Sequence, residues 1–101
     1  MQNVMGVAWF EDEAAYGRAL EIFIDPENMP ASFEAWQALV GKQCALIKSS
    51  GTRPLRADID PETFLAWCAD RGFPPNAAGR MGFVNHVVLE YQKTGEGTFI
   101  E

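Results

Sequence analysis

Residues 55 to 68 contain the feature that most restricts the fold, a strand pattern that passes directly into a capped helix. Leu55, Ala57 and Ile59 alternate with charged residues, which is the period of a strand with one buried face. Asp60 is then a favoured N-cap residue, and Pro61 suits the first helical position. The sequence therefore predicts a strand followed at once by a helix.

The same order of features occurs near the N-terminus. Met5 to Phe10 form a short apolar run, and the acidic residues 11 to 13 follow it where a helix dipole favours carboxylates. Ser32 and Asn76 are the predicted N-caps of two further helices. Their predicted buried stripes are Phe33, Trp36, Val40, Cys44 and Ile47 in one helix, and Ala77, Met81, Val84, Val88 and Tyr91 in the other.

These elements predict a strand-helix-helix unit that occurs twice. A shift of 48 residues aligns Asp12 with Asp60 and Pro26 with Pro74. The length of 101 residues, with 48% apolar and 22% charged residues, fits one folded domain over residues 1–101. We expect an α+β domain whose four helices pack on a small two- or three-stranded sheet, with strands at 4–10 and 54–59 and a third at 98–100.

The charge and the apolar pattern argue against several classes of protein. The net charge of −6 would repel a nucleic-acid backbone over most of the surface. No stretch approaches the roughly 18 apolar residues of a membrane span, and no signal peptide is visible. Cys44 and Cys68 are too few for a disulfide framework and are expected to be reduced. We therefore expect a cytoplasmic protein that binds neither nucleic acid nor membrane.

Acidic residues are concentrated between positions 11 and 34. This segment holds seven carboxylates against the single basic residue Arg18. It is either a solvated face or a contact surface that attracts a basic partner. The predicted partner-binding residues are Glu11, Asp12, Glu13, Asp25, Glu27 and Glu34.

Four polar residues are the candidates for chemistry. Asp58 and Asp60 lie near the end of a predicted strand, where oxygen ligands could hold a hard cation, but no glycine-rich phosphate loop accompanies them. Cys68 has no neighbouring cation or histidine in the sequence to activate it. His86 is the single histidine, and a helical projection predicts that it is exposed. We assign no catalytic residue, no metal ligand and no cofactor.

Three segments together resemble a group of small bacterial proteins. They are Ala8-Trp9-Phe10, residues 29–36 with the sequence MPASFEAW, and residues 59–68 with the sequence IDPETFLAWC. The resemblance covers about residues 7 to 85. It implies a bacterial or phage source, and the group has no assigned activity that could be transferred.

The sequence thus favours a small, acidic, non-enzymatic protein-interaction module of bacterial or phage origin. Its expected partner is a protein with a basic surface, held by one or two aromatic anchors such as Trp36 or Trp67, or a second copy paired through a sheet edge. One alternative is an inhibitor of a nucleic-acid enzyme, of the anti-CRISPR or anti-restriction type. Another is a small enzyme or ligand-binding protein that uses Asp58, Asp60, Cys68 and His86.

Overall fold

The computed structural model describes residues 3–101, and their elements follow the predicted strand-helix-helix order twice. Both predicted strands and all four predicted helices are present, so the predicted α+β class is confirmed. A single 3-10 turn at Pro26–Asn28 separates the first two helices. The elements are β1 (Asn3–Trp9), α1 (Glu13–Ile22), α2 (Phe33–Ser49), β2 (Thr52–Asp58), α3 (Pro61–Arg71) and α4 (Ala77–Thr94).

Side-chain caps determine where the helices begin. The Asp60 carboxylate accepts hydrogen bonds from the backbone N–H groups of Glu62 and Thr63, each at 3.1 Å. Asp12 does the same for α1, with Ala15 N at 2.8 Å, and Ser32 and Asn76 cap α2 and α4. The predicted caps of α2, α3 and α4 are therefore confirmed. Each cap binds a backbone N–H that has no partner within its helix.

The two strands are parallel neighbours, with Gly6 opposite Leu55 and Ala8 opposite Ala57. Residues 98–100 cover the outer edge of β2, but they form an isolated bridge rather than the predicted third strand. Leu55 forms an antiparallel bridge with Phe99. On either side of this bridge, the Arg56 N–H donates to Thr98 O at 2.8 Å and the Ile100 N–H donates to Pro54 O at 2.9 Å.

Helices α2 and α4 cover opposite faces of the sheet. A Cβ at Gly6 would lie 2.5 Å from a methyl carbon of Val84, so α4 packs directly on this face of β1. The Trp9 side chain points to the other face, where its ring centroid lies 5.2 Å from that of Trp36 in α2. The sheet is therefore enclosed between two helices.

Aromatic rings link the helices into one core. Phe10 makes edge-to-face contacts with Tyr16 at 5.0 Å and with Trp36 at 5.2 Å between ring centroids. Phe23 of α1 and Phe64 of α3 meet at 5.7 Å. Edge-to-face pairs of this kind add to the stabilisation from burial.

The predicted buried stripe of α4 is partly wrong. Met81 is exposed, and the helix instead buries Gly79 and Phe83. The reason is tertiary, because the Phe83 ring packs against Phe64 at 5.7 Å and Trp67 at 5.4 Å. These contacts set the rotation of α4 about its axis and leave Met81 in solvent.

Candidate functional site

The carboxylates proposed as metal ligands have structural partners instead. Asp58 accepts two hydrogen bonds from Arg56, with the shorter N···O distance at 2.7 Å. Asp60 caps α3, and hydrogen bonding to the backbone N–H of Thr63 lowers the pKa of its carboxyl. Within residues 3–101, no group of three or more His, Cys, Asp or Glu side chains is placed to hold a metal ion.

A small cleft of about 210 Å³ does bring several of these acids together. Glu11 and Asp12 line it beside Asp58 and Asp60, and Arg18 and Arg56 lie among the four carboxylates. Two of these carboxylates cap helices and a third, Asp58, is bound to Arg56. The cleft is therefore a polar junction between the two strand-helix connections.

The thiols and the histidine pack among other side chains and are not arranged for catalysis. Burial raises the pKa of both Cys44 and Cys68, which disfavours the reactive thiolate. His86 is half-buried, with its ring centroid 5.7 Å from that of Trp67, so the predicted exposed position is wrong. Trp36, one of the proposed aromatic anchors, is buried in the core.

The predicted acidic surface is largely present, with one correction. Glu11, Asp12, Glu13, Glu27 and Glu34 are exposed. Asp25 is only 8% exposed, and its carboxylate binds Arg80 at 2.8 Å through both oxygens. Because its charge is buried and neutralised, Asp25 does not belong to the exposed acidic residues.

An apolar groove lies beside β1. It has a volume of about 720 Å³, with residues 5–8 of β1 as its floor and α2 and α4 as its walls. The turn at residues 28–30 closes one end. Four large apolar side chains that line it remain in solvent: Met5 (52% exposed), Leu39 (45%), Leu46 (71%) and Met81 (67%).

The floor of the groove is an unpaired strand edge. Within residues 3–101, β1 has β2 as its single strand neighbour. The Ile59 N–H donates to Trp9 O at 2.8 Å, so Trp9 points its backbone groups toward β2. Because this direction alternates along a strand, the N–H and C=O groups of Gly6 and Ala8 point away from β2 and toward the groove.

The sequence contains part of the signal for this groove. Leu39 and Leu46 are seven residues apart on α2, outside its predicted buried stripe, and this spacing marks a second apolar line along the helix. Met5 and Met81 give no such signal, because Met5 belongs to an apolar run and Met81 to a predicted buried stripe. Only the packing of α2 and α4 around β1 brings the four side chains together.

Comparisons with known proteins assign no function to this chain. No protein-family model matches the chain, and neither the curated proteins nor the solved structures give a match. Among the helices of residues 3–101, none is both long enough and apolar enough to cross a membrane. The groove and the distribution of charge are therefore the features that bear on function.

Proposed function

We propose that this domain is a non-enzymatic protein-interaction module that binds its partner in the groove between α2 and α4. The observation that carries the proposal is the convergence of Met5, Leu39, Leu46 and Met81 on one opening. They are half of the eight large apolar residues that are exposed among residues 3–101. Apolar surface gathered in this way is stabilised by burial, at roughly 25 cal/mol per Å² removed from water, and typically marks a contact site.

The acidic residues fit a role in attracting the partner. Glu27 precedes Asn28, which lines the closed end of the groove, and Glu34 lies in the first turn of α2. Exposed carboxylates around an apolar site speed the encounter with a basic partner and favour its orientation. The groove supplies the contact area, and the acidic surface supplies the long-range attraction.

The occupied polar groups support a non-enzymatic role. Asp58 is held by Arg56, Asp60 caps a helix, and Cys68 is buried with a raised pKa. His86 rests on the ring of Trp67. An active site requires such groups to converge on a substrate with their hydrogen-bonding capacity available. Here the two carboxylates bind neighbouring parts of their own chain, and the thiol and the imidazole pack among other side chains.

Affinity capture with matched variants tests this function. The resemblance implies a bacterial or phage source, so immobilised protein is exposed to bacterial lysate at low and high salt. Leu46→Glu places a charge in the groove, and Leu89→Glu makes the same change at an exposed position of α4 that does not line it. A third variant replaces Glu11, Glu13, Glu27 and Glu34 by Gln. Circular dichroism checks that every variant is folded.

We expect a discrete partner that the wild type and Leu89→Glu retain and Leu46→Glu loses. Capture by the Gln variant should be weaker at low salt and less sensitive to added salt, because screening acts on the charges it lacks. If Leu46→Glu captures the same proteins as the wild type, the groove is not the binding site and the proposal is wrong.

A further inference from the structure

The groove has the geometry to receive a strand. Its floor presents the outward N–H and C=O groups of Gly6 and Ala8, and its walls are apolar side chains of α2 and α4. Building on the proposed function, we propose that the occupant is an extended segment of a partner protein that adds to β1 as an antiparallel strand. This segment carries a short uninterrupted apolar run with a basic residue beside it.

The other edge of the sheet shows how such a segment is held. Thr98 and Ile100 bind the outer edge of β2 through their backbones, at 2.8 and 2.9 Å. Between them, Phe99 packs on Tyr91 of α4, with 5.2 Å between ring centroids. Ile100 shares a cavity with Cys44 and Lys48 of α2. Successive side chains of this segment therefore face α4 and α2 in turn.

The edge of β1 lies between the same two helices. A strand added there would point one side chain toward Leu39 and Leu46 of α2 and the next toward Met81 and Val84 of α4. Both faces of the strand would be buried, which requires apolar residues at consecutive positions rather than alternate ones. The pair Phe99-Ile100 has this character on the β2 edge. The open stretch of β1 matches a segment of roughly five residues, or ~17 Å.

The charges around the groove favour a basic residue beside the apolar run of the partner segment. Arg80 is the one charged side chain among the lining residues, and Asp25 neutralises it through two hydrogen bonds. Exposed Glu27 and Glu34 belong to the segments at the closed end, within a chain of net charge −6. A lysine or arginine next to the apolar run would be attracted there, whereas an acidic flank would be repelled.

Selection from a displayed library of random peptides tests this inference. The library is selected on the full chain and depleted on Leu46→Glu. We expect enriched sequences with a consecutive run of apolar, strand-forming residues beside Lys or Arg. The enriched peptides are then synthesised, and fluorescence anisotropy measures their binding to the wild type, Leu46→Glu, Leu89→Glu and Ala8→Pro.

Ala8→Pro addresses strand addition directly. It removes an N–H that points into the groove and leaves the bonds of Trp9 toward β2 in place. We expect about tenfold weaker binding or more, as the loss of an intermolecular hydrogen bond and the added ring imply. A second test changes only the peptide: N-methylation at successive positions should weaken binding at every second residue, because alternate N–H groups face β1.

Each result has a distinct meaning. If the peptides lose binding to Leu46→Glu but bind Ala8→Pro normally and show no alternating effect of N-methylation, strand addition is wrong. Binding in the groove would still be supported. If no enriched peptide depends on Leu46, strand addition is wrong, while capture of a folded partner can still support the proposed function. If sedimentation shows a dimer of the wild type that Ala8→Pro and Leu46→Glu dissociate, a second copy is the occupant and the partner segment is ruled out.

Discussion

Arg80 donates two hydrogen bonds to the carboxylate of Asp25, each at 2.8 Å, and so joins positions 55 residues apart in the chain. The same carboxylate accepts from Ala77 N at the start of α4 and from the side-chain amide of Asn28. Both charged side chains are largely buried. The pair thus fixes the first turn of α4 against the turn that closes the groove.

Breaking this pair should destabilise the fold strongly. Asp25→Ala leaves the guanidinium of Arg80 buried without its partner, and we expect a loss of about 3–5 kcal/mol in the free energy of unfolding. Urea denaturation followed by circular dichroism measures it. The exposed pair of Arg56 and Asp58 is the control, because Asp58→Ala should cost less than about 1 kcal/mol. Equal losses at both positions would contradict this account.

The stability should also depend on pH through Asp25. Hydrogen bonds from Arg80 hold the pKa of this carboxyl at about 2, below its ordinary value of 3.8. Because the folded pKa is the lower one, the contribution of roughly 2 kcal/mol is complete above about pH 4 and is lost as the pH falls toward 2. Urea midpoints measured across this range should therefore converge for the wild type and Asp25→Asn. A constant difference would show that Asp25 is not the titrating group.

Gly6 should not tolerate a side chain. A Cβ there would lie 2.5 Å from Val84 and 2.8 Å from Val88, so Gly6→Ala must push α4 away from β1. We expect a loss of about 1–3 kcal/mol from overpacking, measured by thermal or urea unfolding. The matched control is Gly17→Ala in α1, where a Cβ would meet nothing within 4 Å. That change should stabilise the protein by roughly 0.5–1 kcal/mol, because alanine favours the helix.

The C-terminal segment at residues 98–100 should be separable from the two-stranded sheet. Phe99 packs against Tyr91 and lies under the guanidinium of Arg53, 3.6 Å from the ring centroid. Phe99→Ala should therefore loosen residues 98–100, and the Arg56 amide, which donates to Thr98 O, should exchange its hydrogen faster. The Ile59 amide is the internal control, since it donates to Trp9 O. Similar acceleration at both amides would mean that the whole sheet opens together.

The cysteines should be unreactive in the folded protein. Burial covers both thiols and raises the pKa of each above its ordinary value of 9.0. A thiol-reactive dye should therefore label Cys44 and Cys68 only slowly until urea unfolds the chain. Ala69→Cys supplies an exposed thiol on α3 as the reference. Rapid native labelling of Cys68, comparable to this reference, would reopen a nucleophilic role for it.

Local interactions made much of the secondary structure predictable. Asp60, Ser32 and Asn76 cap helices where the sequence predicts them, because a cap binds N–H groups two or three residues away. Gly72 ends α3 in the left-handed conformation, with a φ of 75°. The alternation of apolar and charged residues at 55–59 is also a local signal, because it arises from a single strand with one buried face. Each of these signals lies within a few residues of the structure it determines.

The sequence by itself therefore determined the elements, their order and the α+β class. Only the tertiary structure decided that β1 and β2 are parallel, that Asp25 is buried on Arg80, and that α4 turns Phe83 inward and Met81 outward. It also decided that the unpaired edge of β1 lies between two apolar helix faces. These features depend on contacts between residues far apart in the chain, whose geometry is set by the packing of whole elements rather than by the pattern within any one of them.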